Sequence, residues 1–147
     1  MRRLWILDKT RFGEASVLVP LKTLLSKLPL DNIDAWTVRE LEAQGVVPFG
    51  APMAVFEALT DRLTLGLLLT PSEFANLTTA DVQILNGEFA GLSFRRPGRA
   101  LDDFKMFTVK CIDSAVWECE SDDNEIISAI RNGFAEVQEP STKSGST

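Results

Sequence analysis

The stretch FKMFTVKCIDSAVWECESDDNEIISAIRNGF, residues 104–134, decides the fold of this chain. Apolar and polar residues alternate on both sides of Asp113-Ser114-Ala115, a pattern typical of two antiparallel strands joined by a short turn. The pattern predicts strands at 104–112 and 116–120, followed by a helix. The sequence therefore indicates a β-hairpin that opens directly into a helix.

The register of this hairpin follows from its side chains. If Ile112 faces Val116, one face collects only apolar residues and cysteines: Phe107, Val109, Cys111, Trp117 and Cys119. The same register places Lys110 opposite Glu118, a charge pair that stabilises an antiparallel ladder. Cys111 then lies opposite Trp117 and not opposite Cys119, so we expect no disulfide.

The helix after the hairpin begins in an acidic run. Asp122 and Glu125 have the spacing of a capping box, and Asn132-Gly133 is a left-handed helix stop. The residues between them supply an apolar side, formed by Ile126, Ile127, Ala129 and Ile130. Acids in a first turn also interact favourably with the helix dipole, so part of this run has a structural reason.

Further strands are predicted upstream, near 3–7, 63–69, 81–85 and 88–94. The run 63–69 is almost continuously apolar, which favours a strand covered on both faces near the centre of a sheet. Asn86-Gly87 separates the last two strands, and this dipeptide predicts a type I′ hairpin that pairs Ile84 with Phe89.

Three more helices are predicted from capping and periodicity. One begins after Pro20, one spans 38–44 with Thr37 and Glu40 as a capping box, and one begins at Pro52. A strand through Trp36 and Val38 is the alternative for the second. Together the elements predict a single α+β domain over residues 1–137, a mainly antiparallel sheet with helices packed on it, and a flexible polar tail at 138–147.

The segment Val46-Val47-Pro48-Phe49-Gly50-Ala51-Pro52 combines apolar residues with two prolines and a glycine. Such a loop is costly to leave in water. It is expected either to cover a sheet edge or to form a binding surface, in which case the chain could be a structural or adaptor subunit.

Catalytic and cofactor motifs are absent from the sequence. The chain has no histidine, which excludes Ser-His-Asp and Cys-His nucleophiles as well as histidine metal sites. Cys111 and Cys119, eight residues apart, match no zinc or redox spacing. The basic run at 95–99 lacks the glycine-rich cradle of a phosphate site and is expected to pair with acids such as Asp102 and Asp103. We therefore expect no enzymatic activity, no cofactor and no metal.

The net charge of −6 is unevenly placed. Residues 1–112 hold thirteen acids and thirteen bases, whereas residues 113–147 hold eight acids and two bases. An acidic chain is a poor candidate for binding nucleic acid. The acidic quarter is either a solvated face or a docking face for a basic partner.

No segment has the length and apolarity of a secretory core or a membrane span, because Asp8, Lys9 and Arg11 end the apolar run after Arg3. A cytoplasmic protein without membrane contact is the simplest expectation. Its two cysteines would then be reduced thiols.

The segments Phe104-Lys105-Met106-Phe107, 112–118 and 121–126, with Phe134, resemble the C-terminal region of small immunity proteins, the intracellular antidotes to bacterial polymorphic and contact-dependent toxins. The resemblance covers residues 104–134 and none before them. It implies a non-enzymatic protein that binds one cognate toxin tightly, often a nuclease with a basic cleft.

The resemblance and the charge pattern together predict an acidic partner-binding face, with Trp36 or Trp117 as an apolar anchor where exposed. Its predicted residues are Asp113, Glu118, Glu120, Asp122, Asp123 and Glu125. Glu118 and Glu120 lie outside the helix, so a partner is most needed to explain these two.

Overall fold

The hairpin at residues 104–121 has the predicted register. In a computed structural model that describes residues 1–45, 52–79 and 82–140, Ile112 pairs with Val116, and Lys110 pairs with Glu118. The connecting turn places Asp113 and Ser114 in the left-handed region, with φ of 50° and 56°. Alternation on each strand, which is a local property, was sufficient to fix this element.

The secondary structure comprises nine strands and four α-helices within the described residues. The strands are β1 Arg2–Ile6, β2 Lys9–Phe12, β3 Ala15–Leu18, β4 Ala35–Gly45, β5 Leu67–Leu69, β6 Val82–Leu92, β7 Lys105–Ile112, β8 Val116–Ser121 and β9 Val137–Gln138. The helices are α1 Leu21–Ser26, α2 Met53–Arg62, α3 Pro71–Thr79 and α4 Asn124–Gly133.

Seven strands form one antiparallel sheet in the order β5-β4-β6-β7-β8-β1-β9, and β2 and β3 form a separate hairpin. The fold is α+β, as predicted. The first strand, β1, lies between two elements from the end of the chain, β8 and β9. Trp5 and Ile6 of β1 pair with Gln138 and Val137, so the predicted tail begins inside the sheet; residues 141–147 lie outside the described residues.

The helix predicted at 38–44 is wrong, and the alternative strand is present as β4. Its pairing with β6 shifts register between Arg39 and Glu42, where Glu40 has φ of 53°. The irregularity inserts an extra residue, so the buried positions Val38 and Leu41 are three apart instead of two. This spacing resembles that of a helix, which explains the error.

The hairpin predicted at Asn86-Gly87 is also wrong. β6 runs straight through both residues and pairs with β4 on one side and β7 on the other. Ile84 therefore does not pair with Phe89. It pairs with Ala43, and Phe89 pairs with Val38 and Val109. Two flanking strands outweigh the local turn preference of Asn-Gly.

The apolar run 63–69 is not a central strand. Only Leu67–Leu69 is extended, and this strand, β5, is the edge of the sheet, with Leu68 60% exposed. The helix from Pro52 is confirmed as α2, but of the apolar residues Val55, Phe56 and Leu59 along it only Phe56 is buried. The predicted apolar loop lies almost entirely outside the described residues, at 46–51.

The core lies on one face of the sheet, beneath α1, α3 and α4. The helices contribute Leu21, Leu24, Phe74, Leu77, Ile126, Ile127 and Ile130, and the sheet contributes residues such as Leu4, Val38, Phe89, Phe107, Val109 and Cys119. Trp36 stacks on Phe74 with ring centroids 4.2 Å apart, and the indole of Trp117 donates a 2.7 Å hydrogen bond to the Val19 carbonyl. No helix within the described ranges has the length and apolarity to cross a bilayer.

Candidate functional site

Glu118 and Glu120 lie on the outer face of β8, opposite the buried side chains of Trp117 and Cys119. β1 pairs with β8 so that Trp5 lies opposite Glu118 and Arg3 opposite Glu120. Trp5 Nε1–H donates to Glu118 Oε2 at 2.8 Å, and Arg3 Nη2 lies 3.3 Å from Glu120 Oε2. Both acids therefore have partners within the chain, which corrects the expectation that they need an external one.

Asp122 faces the basic run that precedes β7. Its two carboxylate oxygens accept hydrogen bonds from the Arg96 guanidinium, one of them at 3.0 Å. This hydrogen bond lowers the pKa of Asp122 and raises the pKa of Arg96. The basic run was expected to pair with Asp102 and Asp103. Instead, Asp102 pairs with Lys105, and Asp103 accepts the backbone N–H groups of 99 and 100.

Asp123, and not Asp122, caps α4. Its carboxylate accepts the Glu125 N–H at 2.8 Å, while its own N–H donates to the hydroxyl of Ser121. The predicted capping box between Asp122 and Glu125 is therefore wrong: the N-cap is Asp123, and it bonds the N–H of Glu125 alone. Asp122 is unavailable for the helix because Arg96 holds its carboxylate.

Asp113 and Glu125 are exposed, and their carboxylates form no ion pair or hydrogen bond within the described part of the chain. Asp113 lies at the turn end of the hairpin and Glu125 beyond the other end of β8. Six residues of extended chain separate these ends by about 20 Å. The six predicted acids thus do not form one continuous face.

The charge asymmetry of the sequence is partly offset in space. Arg3 and Arg96 come from outside the acidic quarter, and so does Arg2, which lies 3.4 Å from Glu139. Arg131 contacts the same Glu139 oxygen at 3.0 Å. Charges distant in sequence are therefore neighbours in the fold.

A second group of acids forms a cleft that sequence reasoning missed. The cleft has a volume of about 470 Å³ and is lined by Glu40 and Glu42 from β4, Glu57 and Asp61 from α2, and Lys110 from β7. Four acidic residues and one basic residue thus line the same cleft. We call these five residues the acidic cleft. Glu40 and Glu42, and likewise Glu57 and Asp61, are close in the sequence. The helix predicted at 38–44 gave no reason to expect the two pairs to lie near each other.

The acidic cleft is built by the way α2 lies against β4. β5 pairs only with Trp36–Val38, so the backbone of the second half of β4 needs other partners on this edge. α2 supplies them: Leu41 N–H donates to Thr60 Oγ1 at 3.1 Å and Ala43 N–H to Glu57 Oε2 at 2.8 Å. One wall of the cleft is therefore fixed by side-chain to backbone hydrogen bonds.

The carboxylates of the cleft differ in their partners. Glu57 accepts the Ala43 N–H, and Glu42 Oε1 accepts the Asn86 amide at 2.7 Å. Glu40 and Asp61 are exposed and form no ion pair or side-chain hydrogen bond with any described residue. These two carboxylates can accept an incoming cation without losing a partner.

Cys111 also lines the cleft, and its thiol is buried. Burial raises the pKa of Cys111, and the sulfur lies 3.5 Å from the Leu85 carbonyl. Such a thiol stays protonated at neutral pH and is a poor nucleophile. Burial also raises the pKa of Cys119, the second free thiol.

The two tryptophans predicted as anchors are not at the surface. Trp36 and Trp117, the candidate anchors, are only 5% and 2% exposed and belong to the core. Across residues 1–45, 52–79 and 82–140, no three His, Cys, Asp or Glu side chains are grouped to hold a metal ion. The chemistry that the cleft offers is attraction of cations.

Comparison of the chain with protein-family models, with curated proteins and with solved structures gives no match.

Proposed function

We propose that this chain is a non-enzymatic, cytoplasmic binding protein that neutralises a bacterial toxin, in the manner of immunity proteins. The toxin would present a basic surface, as the nucleic-acid-binding cleft of a nuclease does. The acidic cleft is the observation that supports this proposal, because its lining includes four acidic residues and a single basic one. Glu125 and Asp113 would add attraction at a distance.

The acidic cleft is a better contact for a basic partner than the β8 acids. A lysine or arginine entering the cleft meets Glu40 and Asp61, which have no intramolecular partner in the described chain. A cation approaching Glu118 must compete with the indole of Trp5 and with Arg3. A cation that meets an unpaired carboxylate has only the cost of desolvation to offset, whereas a cation at Glu118 must also displace an existing partner.

A carboxylate-lined cleft would act first on the association rate. Complementary charges steer two proteins together and raise association rates by one to several powers of ten at low salt. Salt screens this attraction over about 10 Å at 0.1 M ionic strength. Binding that depends on the acidic cleft should therefore slow as salt rises.

The test is co-expression. The polypeptides encoded on either side of this chain's gene are expressed in bacteria with and without the chain, and growth is scored. We expect one of them to stop growth alone and the chain to restore it. If neither neighbour is toxic, or if toxicity is unaffected by the chain, the proposal is wrong.

A charge-reversal pair then locates the contact. Glu40→Lys with Asp61→Lys should abolish protection and weaken binding of the toxic polypeptide by at least about a hundredfold, since several unlike-charge contacts become like-charge ones. Glu14→Lys with Glu136→Lys makes the same charge change at exposed acids outside the cleft and should retain protection. Equal loss in both pairs would show that net charge, and not the cleft, matters.

A further inference from the structure

A run of exposed apolar side chains lies along one edge of the sheet. Large hydrophobic residues with more than a third of their surface exposed are few in the described chain, and five of the seven fall between residues 55 and 68. They are Val55 at 51%, Leu59 at 44%, Leu63 at 42%, Leu65 at 63% and Leu68 at 60% exposure. We call these five residues the apolar edge.

The apolar edge follows from the arrangement of α2 and β5. Val55 and Leu59 are spaced by four residues, so they share one side of the helix, and Leu63 directly follows its last turn. The turn that follows is closed by a 2.9 Å hydrogen bond from Gly66 N–H to the Leu63 carbonyl, and β5 then lies beside the first half of β4. Helix and strand thus occupy the same edge of β4 and present their leucines to solvent.

The apolar edge also includes backbone N–H and C=O groups of β5 that no described strand pairs with. β5 is the outermost strand at this side of the sheet, and its outer backbone has no strand partner among the described residues. Natural sheet edges are commonly protected by charged side chains, proline or a bulge. The sequence Leu67-Leu68-Leu69 contains none of these, so a covering element that supplies a strand fits this edge best.

We infer that the apolar edge is a symmetric interface with a second copy of this chain, in which the two β5 strands pair antiparallel. A twofold axis brings each patch against itself, and apolar side chains can do this without charge repulsion. Antiparallel pairing also continues the pattern of the whole sheet. A second copy offers both an extended strand and an apolar surface of matching size.

The size of the patch sets the strength of the interface. The five residues together expose the equivalent of about two and a half complete residues, on the order of 400 Å² of largely apolar surface per chain. Two such patches with their strand backbones bury on the order of 1,000 Å², the low end for specific interfaces. We therefore expect a reversible dimer with a dissociation constant in the micromolar range.

The first experiment is analytical ultracentrifugation of the full chain from about 1 µM to about 1 mM, a range that brackets micromolar dissociation. The wild type should convert from monomer to dimer as concentration rises. Leu68→Lys and Leu65→Lys should each weaken dimerisation at least about tenfold by placing like charges across the twofold axis. Phe94→Lys is the matched control, since Phe94 is 57% exposed and lies outside the apolar edge.

The second experiment does not depend on a lysine being tolerated. Leu68→Cys should form a covalent dimer under mild oxidation, because residues near a twofold axis meet their own copies, whereas Phe94→Cys should not. Cys111 and Cys119 are buried and do not compete. The inference is wrong if the wild type stays monomeric over the whole concentration range, or if Leu68→Cys and Phe94→Cys cross-link equally. The apolar edge would then be a contact for a different protein. The outcome is independent of toxin protection, which the cleft variants measure.

Discussion

Trp5 Nε1 and Glu118 Oε2 are 2.8 Å apart and join residues separated by 113 positions in sequence. The bond lies on the outer face of the sheet, between β1 and β8, where Arg3 also lies 3.9 Å from the other oxygen of Glu118. Glu118 is therefore an internal acceptor that holds the first strand in place. A carboxylate that looks like a docking residue in the sequence has a structural role in the fold.

The Trp5 to Glu118 bond should be measurable as stability. Trp5→Phe keeps most of the ring but removes the donor, and we expect a loss of about 1 kcal/mol in the free energy of unfolding, since the acceptor is charged but only part-buried. Urea denaturation measures this. Combined with Glu118→Gln, the two losses should be less than additive; full additivity would show that the pair does not interact.

Acid should weaken the contact between Asp122 and Arg96. The folded pKa of Asp122 is lowered, chiefly by its hydrogen bond from Arg96, so the pair stabilises the fold above the unfolded pKa near 3.8 and is lost as pH falls through the lower folded value. Because Asp122 is largely exposed, the effect is small. Asp122→Asn should flatten the stability profile below about pH 4.

Arg96→Gln is the companion variant and should flatten the same acid limb, because it removes the same partner. Thermal unfolding measured at steps of pH gives both curves. A steep acid limb that persists in both variants would assign the acid sensitivity to other carboxylates. Asp103 is one of these, since hydrogen bonds from the backbone of 99 and 100 lower its pKa.

The cap of α4 can be assigned by a pair of neighbouring substitutions. Asp123→Ala removes the acceptor of the Glu125 N–H and should cost about 1 kcal/mol of stability, whereas Asp123→Asn should cost a few tenths. Urea unfolding distinguishes them. The opposite result would be that Asp123→Ala is tolerated and that Asp122→Ala, made in an Arg96→Gln background, lowers stability. That result would assign the N-cap to Asp122, as the sequence predicted.

Thr60 should matter more than a helical threonine normally does. Its hydroxyl is buried, 1% exposed, and accepts the Leu41 N–H at the unpaired edge of β4. Thr60→Val preserves shape but leaves that N–H without an acceptor, which costs about 1–3 kcal/mol. Thr64→Val, at an exposed position after α2, is the control and should be neutral within about 0.5 kcal/mol.

Hydrogen exchange gives a second readout for Thr60→Val. The Leu41 amide should exchange faster in the variant while amides of β7 and β8 keep their protection. Uniform loss of protection over the whole sheet would indicate global destabilisation instead of an opened edge.

The sequence predicted the β7–β8 hairpin correctly because the structure of a hairpin depends on residues that are close together in the chain. The β7–β8 register was readable because alternating apolar residues and the Lys110–Glu118 pair lie within one hairpin. β4 was misread because the irregularity at Glu40 shifts its alternation by one residue. Asn86-Gly87 was misread because its neighbours in the sheet, β4 and β7, come from elsewhere in the chain.

The acidic cleft shows why sites are harder to predict than strands. Its residues come from β4, α2 and β7, and only the pairing of β6 between β4 and β7 brings Glu40 and Glu42 near Lys110. The same reasoning applies to the acidic quarter, whose charge is offset by Arg2, Arg3 and Arg96. Neither result depends on a spacing that can be read along the sequence.

The position of β1 between β8 and β9 has a consequence for folding. This strand precedes every other strand of the seven-stranded sheet in the chain, whereas both of its hydrogen-bonding neighbours follow all the others. Until these neighbours are in place its apolar side chains, Leu4 and Ile6, have no sheet to join, and the folding chain is vulnerable to non-native association. Closing so long a loop is slow, so we expect the docking of β1 between β8 and β9 to be rate-limiting for folding.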